Sequence, residues 1–189
     1  MDSHDPEDLW RHLERYEKET GGRVLAIPHN GNGSNGAMFP ATRPHGARAG
    51  EAVDPDYARA RSRWEPVAEV TQIKGDGEAH PTLSPEDEFA DFETWDDSNF
   101  GPAQPSKEHW MLKHEYARGA LKLGLELEDR LGANPYRFGM IGSSDAHTSL
   151  AAVEENSFFG KYPLDEPSPG RMQGQLESML FTDYAASGF

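Results

Sequence analysis

Three short apolar runs are separated by segments of helical spacing, and this order constrains the fold more than any other feature. Val24-Leu25-Ala26-Ile27 is continuous and apolar, as expected of a strand buried on both faces in a parallel sheet, and Pro28 ends it. Val67–Ile73 is a second strand, with Val67, Glu69, Thr71 and Ile73 on one face by the two-residue period. Phe138–Ile141 is the third. Asp5-Pro6-Glu7-Asp8 starts a helix, with Asp5 as cap, and Leu9, Trp10, Leu13 and Tyr16 recur along it until Gly21-Gly22. Asp54-Pro55-Asp56 opens a second helix running to about Arg63. A long helix is expected from Ser106 to Leu131, with Ala117, Ala120, Leu121, Gly124, Leu127 and Leu131 on its buried stripe and Gly132 as terminator. A short one is expected over Ser149–Asn156. Helices alternating with strands indicate an α/β fold with parallel strands.

A chain of 189 residues suits one domain. With 35% hydrophobic residues, 14 Pro and 19 Gly, much of it must be loop. Residues 40–53 read as one such loop. Asp76–Asp97, acidic and without Lys or Arg, reads as a solvated excursion with a short helix capped at Ser84-Pro85-Glu86. The formal charge of −15 repels phosphate backbones and argues against nucleic acid as partner. With no cysteine, disulfides, thiolate metal sites and thiol nucleophiles are excluded. No basic and apolar leader precedes Asp5, and no run approaches the ~20 apolar residues of a membrane span. The chain therefore reads as soluble, with the compartment open between cytoplasm and periplasm.

Two polar clusters follow apolar runs directly: His29, in the loop His29–Gly36, and Asp145-Ala146-His147. In α/β sheets and barrels, ligands bind at the carboxyl ends of strands, so both clusters point to one site. Imidazole and carboxylate together suit zinc, manganese or iron. Each residue also has a plainer reading: a loop histidine is often a surface group, and an aspartate often caps the next helix. Asn30 and Asn32 either contact substrate or satisfy a left-handed turn. Glu69 on a strand needs a metal, a lysine or a substrate group if buried, and none if it faces solvent. His80 is the weaker ligand candidate, and no Gly-x-Ser-x-Gly elbow surrounds Ser143 and Ser144.

Four ordered blocks carry a resemblance: Leu25–Asn32, Glu69–Asp76, Asp87–Glu93 and Gly139–Thr148. With Tyr116–Lys122 and Asn156–Lys161, they resemble the bacterial domain-of-unknown-function 3604 family from about Asp5 to Arg171. That family is similar in turn to the polymerase and histidinol phosphatase (PHP) superfamily of distorted β/α barrels that bind divalent metals. The resemblance implies His29, Asp145 and His147 as metal ligands, with Glu69 as a further ligand or supporting group, and zinc, manganese or iron as cofactor. It implies a metal-dependent hydrolase of a phosphoester or related ester, acting on a small molecule. The His-x-His and Asp-His motifs of such proteins are absent upstream of His29. Residues 1–171 are therefore expected to form the C-terminal part of an incomplete PHP-like barrel, with 172–189 as a weakly patterned tail. The alternative is a non-catalytic fragment or binding module that keeps part of the fold.

Overall fold

The computed structural model describes residues 3–72, 74–96, 99, 106–145 and 147. Helix α1 covers Pro6–Thr20, and the Asp5 carboxylate caps it by accepting the Glu7 N–H at 3.0 Å. Helix α2 covers Pro55–Trp64 on an Asp54 cap. There the Tyr57 N–H, Arg48 and Arg43 hold the Asp54 carboxyl down to about 2. Strand β1 (Val67–Gln72) follows, then the two-residue β2 (Gly75–Asp76), helices α3 (His109–Leu112) and α4 (Ala117–Leu131), and β3 (Gly139–Gly142). The sheet order is β2-β1-β3.

The architecture is mixed α/β. Strand β3 lies parallel to β1, with Val67 opposite Gly139 and Glu69 opposite Ile141. The β1–β2 pair is an antiparallel hairpin, which the all-parallel expectation did not contain. The expected strand at 24–27 lies extended beside β1, held by Ala26 N–H to Trp64 O at 2.8 Å and Glu69 N–H to Pro28 O at 2.9 Å. Two bonds form no regular ladder. Alternate residues face the core, where Val24 packs, while Leu25 and Ile27 are 49% and 42% exposed. Burial on both faces is thus corrected to burial on one. Strand β3 departs further, since the adjacent Met140 and Ile141 point to opposite faces and both are exposed. Among the described residues, β3 has a neighbour along one edge only. In β1, Ala68, Val70 and Gln72 are buried and Val67, Glu69 and Thr71 half-buried, as alternation requires.

The core gathers Trp10, Phe39, Val53, Tyr57, Trp64, Ala68, Ala120, Leu127 and Tyr136. On α4, Ala117, Ala120, Gly124 and Leu127 are buried, the stripe expected from spacing. Gly132, at φ 68°, ends α4 in the left-handed region that favours glycine. Within the core the Arg61 guanidinium lies 4.9 Å from the Tyr136 ring and 5.6 Å from Phe39, paired to Glu65 at 2.9 Å.

The single helix expected from Ser106 to Leu131 is instead two, with the break at 113–116. Here the chain turns to bond a distant loop: Phe39 N–H donates to His114 O at 2.8 Å, and His114 Nδ1–H donates to Phe39 O at 3.0 Å. The Glu115 side chain is fully buried against Lys107 at 2.8 Å and accepts the Gly36 N–H at 2.9 Å. Those tertiary bonds outweigh helix propensity across the break. The expected helix at Ser84-Pro85-Glu86 is a series of turns. Ile73, the helix expected over Ser149–Asn156 and the 172–189 tail lie outside the described residues, and the partial barrel is not resolved by the elements that are described.

Two expectations follow. Lys107→Met strands a buried carboxylate and should destabilise the protein by roughly 3–5 kcal/mol, whereas Lys107→Met with Glu115→Leu should cost clearly less. Urea unfolding measures both, and a single variant within about 1 kcal/mol of the parent would disprove the clamp. Burial holds the His114 imidazole below its ordinary 6.5, so its stabilising contribution is present above that pH and is lost as pH falls through the lowered folded value. Melting temperature should drop on acidification, and His114→Gln should show a smaller drop.

Candidate functional site at the carboxyl ends of the strands

The extended segment and β3 both run parallel to β1, so three carboxyl ends meet at one end of the sheet. They deliver His29, then Lys74 beyond β1, then Ser143 and Asp145 beyond β3. This is the edge at which α/β folds place ligands.

Asp145 sits at φ 53°, a left-handed conformation that aspartate tolerates better than most residues. Its carboxylate pairs with the Lys74 ammonium, and both side chains are more than four-fifths buried. His147 Nδ1–H donates to Asp145 O at 2.7 Å and stands 3.8 Å from Asp145 Oδ1. His29 is exposed, and its Nδ1–H donates to Ile27 O at 3.0 Å. Both imidazoles thus have Nδ1 engaged by a backbone carbonyl, which sets the tautomer with Nε2 as acceptor, the arrangement common to metal-binding histidines. Glu69 is half-buried and satisfied by a protein partner: Ser143 Oγ–H donates to Glu69 Oε2 at 2.5 Å.

The two asparagines belong to the scaffold. Asn30 takes φ 61° at the start of a 3₁₀ turn, Gly31–Gly33, and its Oδ1 accepts from Gln72 Nε2. Asn32 is 3% exposed, and its Nδ2 donates to Lys74 O at 2.9 Å and to Trp95 O at 3.3 Å. Its own carbonyl accepts from Lys107 Nζ at 2.6 Å. The left-handed turn is adopted at Asn30, whereas the Asn32 side chain clasps the distant Lys74 and Trp95 carbonyls through its amide hydrogens. A Cβ at Gly31 would stand 2.5 Å from Glu115 O, so only glycine lets this loop lie against the α3–α4 break. His80 is buried with both ring nitrogens used, Nδ1 accepting the Thr82 N–H at 3.1 Å and Nε2–H donating to Asp96 at 2.8 Å.

Sequence reading missed Lys74. It lies two residues past β1, and an apolar run followed by a basic residue gives no reason to place its ammonium on a carboxylate 71 positions away.

The family described as "Protein of unknown function (DUF3604)" matches residues 1–189. The chain belongs to the DUF3604 family. No curated protein and no solved structure matches it. For this DUF3604 chain the donor types suit a divalent ion, since one carboxylate and two Nε2 imidazoles stand at one sheet end. Their arrangement does not close around one. Among the described residues no group of three or more His, Asp or Glu side chains is placed to hold a metal ion, and Lys74 lies on Asp145. Nor is any helix among them long and apolar enough to cross a membrane.

If Asn32 is scaffold, Asn32→Ala should remove a donor from each of the Lys74 and Trp95 carbonyls and cost roughly 2–4 kcal/mol. A substrate-orienting residue would instead lose activity at unchanged stability. Thermal and urea unfolding of Asn32→Ala distinguishes the two.

Proposed function

We propose that this DUF3604 chain carries part of a PHP-type, metal-dependent hydrolase acting on a phosphoester or related ester of a small molecule. The observation supporting this is that Asp145, His147 and His29 follow segments that end at the same end of the sheet, with both histidines fixed through Nδ1. Asp145, His147 and His29 would hold zinc, manganese or iron. Such an ion, when bound, polarises an ester and lowers the pKa of a bound water. Glu69 acts through Ser143, whose hydroxyl it holds two residues before Asp145. Lys74 supplies a positive charge suited to an anionic ester group beside the carboxylate.

A second reading is favoured by one observation. The Lys74 ammonium already neutralises Asp145, as a permanent internal cation would in a binding module that has no catalytic ion. Calorimetry with manganese and zinc tests both readings. Under the hydrolase reading, Asp145→Ala with His147→Ala abolishes site-specific binding and His45→Ala does not. Lys74→Met, which removes the competing ammonium, should tighten binding by about tenfold. Binding that survives the double substitution, or no turnover of model phosphoesters with either metal, supports the module instead.

A further inference from the structure

A cavity of about 330 Å³ opens beside His29, between α1, the extended segment at 26–29, the loop after it and α2. Leu9 and Ile27, 41% and 42% exposed, stand at its mouth. Ala26, Ala37 and Met38 line its wall, and the buried Arg61 and Glu65 lie at its inner end. Those two charges compensate each other at 2.9 Å. Arg61 also donates to Met38 O at 2.7 Å, and Glu65 accepts from Trp10 Nε1 at 2.8 Å. Among the described residues, the other ionisable groups lining the cavity are His29 and His45. In a chain of formal charge −15, the described residues of this concavity thus present an apolar wall and no uncompensated carboxylate.

We propose that this cavity binds the uncharged hydrocarbon end, aryl or short alkyl, of a small molecule whose polar end lies at His29. Small-molecule sites are concave and mostly apolar, with a few polar groups that set orientation, and their volumes begin at ~300 Å³. This cavity is at the small end of that range, enough for one ring or a short branched chain. His29 is the residue shared between it and the strand-end site, and its Nδ1 bond to Ile27 O ties the imidazole to the segment that forms the cavity wall. The proposal deepens the hydrolase reading by naming the ester as one with a hydrocarbon substituent. It rests on that reading only for the chemistry of the polar end.

Binding is measured without added metal, so that recognition is read apart from catalysis, using phenylphosphonate, methylphosphonate and benzyl alcohol. Phenylphosphonate should bind at least about tenfold more tightly than methylphosphonate, the worth of a part-buried ring. Benzyl alcohol should shift the amide resonances of Leu9, Ile27 and Met38. Leu9→Asp and Ile27→Asn alter half-exposed side chains that the fold tolerates, and each should bring the phenyl-to-methyl ratio close to one. Leu125→Asp, at an exposed α4 position away from the cavity, should leave it unchanged. A ratio near one in the parent, a ratio that survives both cavity variants, or no binding of either aromatic probe overturns the proposal. A normal ratio in a protein that neither binds metal nor hydrolyses esters sinks the hydrolase reading alone.

Discussion

Enclosing the Arg61 guanidinium among aromatic rings would cost several kcal/mol if the charge stood alone, and the way that cost is offset determines how the helices meet. Glu65, one turn further along and just past the end of α2, neutralises it, and the faces of Phe39 and Tyr136 attract it. Its remaining donors go to the Met38 carbonyl and the Tyr57 hydroxyl. Glu65 in turn accepts from Trp10, so α1 is tied to α2 through the same pair. A lysine could not replace it, because one ammonium lacks the planar fork that reaches a carboxylate, a carbonyl and a hydroxyl while lying over rings. The packing of α1, α2 and the 38–40 loop around the sheet therefore depends on one buried cation with all its partners in place.

A second buried pair does the same for the loop that bears the site. Lys107 and Glu115 converge on the 30–36 segment, Lys107 through Asn32 O and Glu115 through the Gly36 N–H. Burial raises the Glu115 carboxyl above its ordinary range even with Lys107 beside it, so the pair costs desolvation and yields position. That position matters because His29 is exposed and, among the described residues, makes a local bond alone, so its place is set by the backbone on either side. On one side stands the Glu69 N–H to Pro28 O bond, on the other the Asn30–Gln72 contact. The site is built on backbone registry and loop clamps, with little side-chain packing of its own.

Much of the fold was legible in the sequence where one local signal decided the outcome. Asp5-Pro6 and Asp54-Pro55 start helices because an aspartate cap and a first-turn proline need no tertiary help. Gly132 ends one, and the Ala117–Leu127 stripe is buried as spacing implies. Signals failed where distant partners intervened. The break at 113–116 arises from bonds to Phe39 and Gly36, about 75–80 residues earlier in the chain, and no local pattern encodes it. Leu25 and Ile27 read as buried because they are apolar, but burial needs a second layer, and the described residues place none over them. In the site, the positions of His29 and Asp145 just after apolar segments could be read directly. The use of Asn32 as a scaffold clasp and of Lys74 as the partner of Asp145 could not, since both depend on which loops meet.

Lys74 also bears on what the strand-end geometry can mean. An ammonium and a divalent ion compete for the same carboxylate oxygens, and a part-buried carboxylate needs one of them, because leaving it alone would carry the full desolvation penalty. The Lys74 ammonium is the cation that offsets this penalty at Asp145. The pair ties Asp145, which is in a left-handed conformation, to the residue just beyond β1, and Ser143 is fixed on Glu69. A divalent ion would have to displace the ammonium, and its net affinity would be the difference between two cations on one carboxylate. Under the proposed hydrolase reading, such an exchange would also bear on ligand choice, because it would turn the Lys74 charge toward an anionic group. On that reading the residue that competes with the ion for Asp145 would also favour substrates that carry negative charge.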